Sequence, residues 1–180
     1  SSPLHILCAL GFWIASVSAC LADGLLVHPA PDIYTQSDAE KFNQHAKGSL
    51  APAYPYLADY LVDRYQLSEK PGIGIDLGSG PGDVIIELAR RSRAMYWIDA
   101  DINPHHFQYL FRDVDSLGLA HRVGAIFADA QQLPFRDGYA DLVISRGSFQ
   151  FWGNTESAFA EILRVLKPGG CAFVGRGLTP

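Results

Sequence analysis

The 180 residues hold a single methionine and three cysteines, and only 18% of positions are charged. Cys8, Cys20 and Cys171 are too few and too scattered for a disulfide framework or a zinc site. The six histidines do not cluster with them, so no metal centre is expected. There is no long run of lysine or arginine, and the formal net charge is −5. A nucleic-acid partner calls for a basic patch and is not expected. Internal repeats and low-complexity tracts are absent as well. What is present is a chain that is 48% apolar and long enough for one α/β domain with a sizeable core.

Residues 4–22 form the one long apolar run, LHILCALGFWIASVSACLA, uncharged when His5 is neutral. Its length is near the lower limit of a membrane-spanning helix, which takes ~20 apolar residues. It also resembles the apolar part of a secretory signal. Val17-Ser18-Ala19-Cys20 is similar to a bacterial lipoprotein cleavage box with Cys20 as the lipidated residue. Ser1-Ser2-Pro3, however, supplies none of the basic residues that open a signal peptide. Signal, membrane anchor and packing helix all stay open for this segment. His28-Pro29-Ala30-Pro31 reads as a linker, dividing the chain into an apolar segment 1–30 and a folded body 31–180.

From residue 71 onward, short apolar runs alternate with helical spacing. Strands are predicted over 73–77, 95–100, 123–128, 140–145 and 171–175. A helix over 83–91 carries Val84, Ile85 and Leu88 on one side. Asn103-Pro104 supplies an N-cap and a first-turn proline for a helix with Phe107, Leu110, Phe111, Val114 and Leu117 inward, closed by Gly118. Asn154 caps another, with Phe159, Ile162, Leu163 and Leu166 as its apolar face. Strands separated by helices imply right-handed crossovers and a parallel sheet covered on both faces. Two further helices, 37–47 and 52–65, precede the sheet as a lid or side wall.

Such sheets bind ligands beyond the carboxyl ends of their strands. There the chain reads Asp76-Leu77-Gly78-Ser79-Gly80-Pro81-Gly82. Glycines let the backbone turn sharply and approach a ligand closely, and the following helix aims its first N–H groups at the same place. The spacing is not that of a dinucleotide fingerprint, G-x-G-x-x-G. The third glycine comes one residue early, and Asp83 stands where that pattern requires glycine. Asp76 and Asp83 would repel a pyrophosphate and suit a ligand with a positive end.

This loop resembles motif I of the class I S-adenosylmethionine-dependent methyltransferases. The resemblance continues in order from about residue 40 to 175. Asp99-Ala100-Asp101-Ile102-Asn103-Pro104 matches the family's ribose-binding strand end, with Asp101 as the ribose acid and Asp99 as the runner-up. Asp129-Ala130-Gln131-Gln132-Leu133-Pro134-Phe135 matches its adenine-binding position and Leu-Pro-Phe loop. Residues 141–146 match the fourth strand, and 161–170 the helix and turn before the fifth. The resemblance implies a Rossmann-like fold with sheet order 3-2-1-4-5, an N-terminal helical extension and S-adenosylmethionine as cofactor. It implies contacts to that cofactor from Asp76, Gly78, Ser79, Gly80, Gly82, Asp101, Ile102, Asp129, Ala130 and Ser145.

Methyl transfer is in-line displacement at carbon, so the enzyme chiefly holds the nucleophile on line. A base is needed only where the nucleophile carries a proton. The candidates for catalysis are therefore weak: His45, Ser145 and Arg146. Arg146 has an anionic acceptor, or else Asp141 or Glu161, as its expected partner, while His105 and His106 read as solvated. Phe149, Phe151 and Trp152 suit a small, hydrophobic or planar acceptor, or simply pack beneath the lid. The family normally continues past its fifth strand with a helix and two more strands. A bare fifth strand invites pairing with another chain, so a homo-oligomer covering that edge is expected. The competing functions are a methyltransferase-like binding or assembly module without catalysis, and a nicotinamide oxidoreductase disfavoured by the glycine spacing. Because S-adenosylmethionine is made in the cytosol, the location expected is cytoplasmic, with membrane association through residues 4–22; the alternative is an exported lipoprotein.

Overall fold

A computed structural model describes residues 34–176. The apolar segment 1–30, with its signal, anchor and packing readings, lies outside the described residues.

The described chain begins with a helix fixed by its own first turn. Thr35 is its N-cap, and the hydroxyl accepts from the Asp38 N–H at 3.2 Å while the Asp38 carboxylate accepts from the Thr35 N–H at 3.3 Å. This reciprocal capping satisfies donors that have no partner inside the helix. Helix α1, Gln36–His45, does not stop before the next one as expected. It passes through a π-helical turn, Ala46–Leu50, and a 3₁₀ turn, Ala51–Ala53, into α2, Tyr54–Tyr65. Gln66 ends α2 in the left-handed conformation, φ 54°.

The alternating part then follows. Strand β1 is Gly72–Leu77, helix α3 Asp83–Arg91 and strand β2 Met95–Asp101. A 3₁₀ turn, Pro104–His106, leads into α4, Phe107–Ser116, and strand β3, Val123–Phe127. Strand β4, Ala140–Arg146, is followed by α5, Thr155–Val165, and β5, Leu166–Gly175. Both expected asparagine caps are made: Asn103 accepts from the His105 N–H and Asn154 from the Ser157 N–H, each at 3.1 Å.

All strand pairs are parallel, as the alternation of strands and helices implied, in the order β3-β2-β1-β4-β5 that the resemblance implied. Alternating strand residues build two cores. One joins Leu57 and Leu61 of α2, Ile85 and Leu88 of α3 and Leu110 and Val114 of α4 to Trp97, Leu142 and Ile144. The other sets Ile162 and Val165 of α5 against Ile75, Leu77, Ile98 and Val143. Helices therefore cover both faces. Trp97 is wholly buried, and its indole N–H reaches the Ser92 hydroxyl at 2.9 Å.

Three details depart from the expected pattern. In α4 only Leu110 and Val114 are buried, while Phe111 and Leu117 are about half exposed. In α5 the inner face is Ala158, Ile162 and Val165; Leu163 is exposed, and Phe159 is 43% exposed with its ring edge-on to Trp152. Leu166 does not continue that helix but pairs with Ala140 of β4, before an irregular stretch that returns to register at Cys171. Pro168 and the left-handed Gly169, φ 81°, sit inside that stretch and exclude a regular ladder there.

Candidate active site

The glycine loop is built by close packing. Gly78, Gly80 and Gly82 have φ of 67°, 61° and 85°, a region that strains any side chain with a Cβ. A Cβ at Gly80 would stand 2.8 Å from the Phe42 ring, and one at Gly82 would run into Leu110. The loop is tied back to β2 at two points. The Gly78 N–H donates to the Ala100 carbonyl, and the Gly80 N–H donates to the Asp101 carboxylate, both at 2.8 Å.

A cleft of about 620 Å³ opens beyond the carboxyl ends of β1, β2 and β3, within the ~300–1,000 Å³ usual for small-molecule sites. Its floor is Gly78, Gly80, Ala100, Asp101 and Ile102. Ala128, Asp129, Ala130 and Gln131 form one wall, and Tyr34, Asp38 and Phe42 come from the N-terminal helix side. Ser148, Phe151 and Trp152 complete the rim. Two of the three acids in the cleft, Asp101 and Asp129, are held by the backbone of the loops beside them. Asp101 also accepts from the Asn103 N–H at 2.7 Å, and Asp129 from the Gln131 N–H at 2.9 Å.

Behind the floor lies a stack of carboxylates. Asp76 on β1 is in register with Asp99 on β2. Burial pushes Asp76 up to about 7; the Ser79 hydroxyl opposes this, the Asp101 charge adds to it, and Arg146 opposes. Asp99 is fully buried with neither oxygen partnered. Burial, then the charges of Asp101 and Asp76, push it well above the ordinary carboxylate range. A buried acid without donors is cheapest when neutral. His106 faces the cleft edge-on to Phe42, ring centres 5.7 Å apart. Burial pulls its pKa down, Asp101 raises it, and His105 lowers it.

The fit to an adenosyl cofactor follows. A paired acid at the end of β2 can accept from two ribose hydroxyls, and Asp129 with the Ala130 backbone can meet an adenine edge. A family model described as a methyltransferase domain matches residues 75–174, more than half of the chain. The chain belongs to the class I S-adenosylmethionine-dependent methyltransferases.

Relatives of the same kind surround it. A demethylmenaquinone methyltransferase of Thermus thermophilus is 35% identical over 104 residues, covering 58% of this chain and 46% of its own. A solved structure from Methanococcus maripaludis, assigned as an S-adenosyl-L-methionine-dependent methyltransferase, superposes with TM-score 0.76 at 33% identity, covering 81% of this chain and 65% of its own. A Geobacter sulfurreducens methyltransferase solved with S-adenosyl-L-homocysteine gives TM-score 0.57 at 25% identity, covering 67% of this chain and 47% of its own. The chain spans about half the length of the curated relatives it matches.

Among the cofactor residues expected from the sequence, Gly78, Gly80, Asp101, Ile102, Asp129 and Ala130 line the cleft. Asp76 and Ser79 do not; they line a small chamber beneath the glycine loop, together with Arg146. Gly82 packs on Leu110 rather than facing a ligand. Ser145 is wholly buried and donates to the Leu77 carbonyl at 2.9 Å, so Ser148, its hydroxyl partner at 2.6 Å, takes the place in the cleft. His45 is exposed and bonded to the Ser49 hydroxyl at 3.0 Å; it does not face the cleft and is no candidate base.

Arg146 pairs with neither expected acid. Asp141 is held by Lys167 at 2.7 Å and Glu161 by Arg164 at 2.6 Å, which leaves the Arg146 guanidinium over the Tyr54 ring, 5.4 Å from its centre. His106 is buried rather than solvated, because the turn after Asn103-Pro104 swings it under α1. Tyr34, Asp38, Phe42, Asn103 and Ser148 were missed. Asn103 and His106 sit within five residues of Asp101, and that proximity was the available signal. For Asp38 and Phe42 the signal was their place in the helix expected to form a lid, which did not single out which of its side chains reach the cleft.

Proposed function

We propose that this chain is the catalytic domain of a methyltransferase that moves a methyl group from S-adenosylmethionine to a small acceptor with an apolar or planar face. The observation that carries the reading is the pairing of Asp101 with the Gly80 N–H at 2.8 Å, which assembles a ribose acid and a glycine loop into one floor. The aromatic rim of Phe151 and Trp152 favours an apolar acceptor. The Thermus relative is named for a demethylmenaquinone substrate, in line with that class.

Bound S-adenosylmethionine supplies an activated methyl group with a sulfur leaving group. The residues of this chain do the holding. Asp101 and Asp129 fix the adenosine end, Gly78 and Gly80 let the backbone approach, and Trp152 and Phe151 offer an apolar edge to the acceptor. Orientation of this kind can contribute roughly 7–11 kcal/mol to such a displacement, so no base need stand in the cleft. A cytoplasmic location belongs to the same proposal, because the cofactor is made there; cell fractionation tests it. So does a partner, a second copy included, along β5, which pairs only with β4 among the described strands; sedimentation tests that.

The deciding experiment is calorimetric titration with S-adenosylmethionine and S-adenosylhomocysteine, beside Asp101→Ala, followed by a transfer assay on planar apolar acceptors that reads S-adenosylhomocysteine formed. Binding of both ligands, lost in the variant, with turnover of an acceptor is the expected result. A folded protein that binds neither would overturn the reading. Binding without turnover on any acceptor would favour the assembly module.

A further inference from the structure

Strand β3 pairs only with β2 among the described strands. The Trp97 N–H donates to the Arg122 carbonyl at 2.9 Å, and the Ala128 N–H to the Asp101 carbonyl at 3.0 Å. That parity turns Arg122, Gly124, Ile126 and Ala128 toward β2. The N–H and C=O groups of Val123, Ala125 and Phe127 therefore point out of the sheet. Strand Val123–Phe127 holds neither a charge nor a proline, the devices that ordinarily keep another strand from adding.

One face of the same edge is open as well. The crossover from β3 to β4, residues 128–139, contains no helix. A groove of about 420 Å³ is left over β2 and β3, and no helical residue lines it. Ile98, Gly124 and Ile126 form its floor, and Phe135 stacks on Tyr139 at 5.3 Å as a wall. Gly124 makes room for Tyr96: a Cβ there would stand 2.7 Å from the Tyr96 hydroxyl. We propose that this edge and its groove receive an extended, acidic segment of a partner protein, which adds to β3 as a further strand and lays alternate side chains in the groove. The proposal is independent of the cofactor reading above.

Charge selects the occupant. Among the described residues that line the groove there is no acid, and Arg136 is the one charged group. Arg136 rests over Tyr139, 6.0 Å from the ring centre, and its neighbour Asp137 is taken by Arg164 at 2.7 Å. Arg122, which leads into β3, spends one donor on the Ser92 carbonyl at 3.0 Å. Neither Arg122 nor Arg136 forms an ion pair among the described residues. In a chain of net charge −5 this edge is locally cationic, and a strand carrying carboxylates complements it. A second copy meeting it edge to edge would set one cationic groove against another. A compact small ligand would leave the outward N–H and C=O groups to water, whereas an extended chain pairs with them.

The test uses the full chain, isotope-labelled, and a short acetylated and amidated peptide, Glu-Val-Thr-Val-Thr-Val-Glu. Amide hydrogen exchange is read by NMR. In the free protein the amides of Val123, Ala125 and Phe127 should exchange far faster than those of Gly124 and Ile126. Peptide at about 1 mM should slow those three about tenfold or more. Two further peptides are N-methylated at alternate amides, one set in each. One of them should bind as the parent does, and the other should lose its effect, because only alternate amides face β3. Replacing the glutamates by lysines should weaken binding roughly 3–10-fold, and Arg136→Glu should reverse that preference. No slowing of the three amides at the highest peptide concentration would overturn the proposal. Equal loss for both N-methylated peptides would show that no strand is added. Equal binding of the glutamate and lysine peptides, or a preference that survives Arg136→Glu, would remove the acidic partner. Slow exchange of the three amides before any peptide is added would also overturn it. With a dimer in sedimentation the occupant would be a second copy, and with a monomer the chain would cover its own edge.

Discussion

The adenosine end of the cleft and the buried layer behind and beneath its floor, the deep end of the site, are built on opposite principles. At the adenosine end every acid is tied down. Asp101 holds the N–H groups of Gly80 and Asn103, and Asp129 holds Gln131 through its backbone at 2.9 Å and its side-chain amide at 3.1 Å. At the deep end the polar groups are buried but unmatched: both oxygens of Asp99, one oxygen of Asp83 and Nε of Arg146. The first end is organised before a ligand arrives, so a ligand adds to satisfied groups. The second stores unsatisfied charge that a ligand, or a proton, relieves.

Breaking the organised end should have the largest effect. Asp101→Ala removes a ribose acceptor and frees two backbone donors at once. We expect S-adenosylhomocysteine affinity to fall about 100-fold or more, as read by calorimetry. Asp129→Ala touches only the adenine edge and its own turn, so a loss of about tenfold is expected in the same titration. If the two losses were equal, the idea that Asp101 alone unites loop and ligand would fail.

The unmatched end should speak through pH. Asp76 and Asp99 have folded pKa values raised above their unfolded value, so the native state binds more protons than the unfolded chain. The stability Asp76 contributes is complete below about pH 4 and is lost as pH rises through about 7; that of Asp99 is lost in the same direction as pH rises from its ordinary carboxylate range through its raised folded value. Asp99→Asn should therefore be more stable than wild type in urea at pH 7.5, and the gain should shrink as pH falls toward 4. A gain that is constant with pH would show that Asp99 is not the titrating group.

The smallest effect belongs to the rim. Phe151 is 74% exposed, so Phe151→Ala should leave stability within about 0.5 kcal/mol and cofactor affinity unchanged. It should raise the KM of an apolar acceptor a few-fold in steady-state assays. A change in cofactor affinity instead would make the rim part of the organised end.

Local chemistry made much of this legible beforehand. The strand runs, the Asn103 and Asn154 caps and the glycine loop each act within a few residues, and each appears where the sequence places it. The acids at the ends of β2 and β3 were legible through the resemblance to the family, since strand parity alone leaves Asp99 and Asp101 equivalent. Misreadings fell where the partner was remote. Phe111 and Leu163 share the periodicity of buried residues, but nothing packs over them. Arg146 had two acids within reach along the sequence, and Lys167 and Arg164 took both.

The sequence by itself determined the parallel alternation and the glycine turn, because short-range periodicity and turn chemistry specify them, while the strand order and the acids of the cleft floor were legible only through the resemblance to the methyltransferase family. Only the tertiary structure decided that Ser148 rather than Ser145 faces the cleft, that His45 stays outside while His106 is drawn in, and that Arg146 comes to rest over Tyr54. Those outcomes depend on which side chains compete for one volume and one partner across 50 to 100 residues of chain, a competition that no local pattern records.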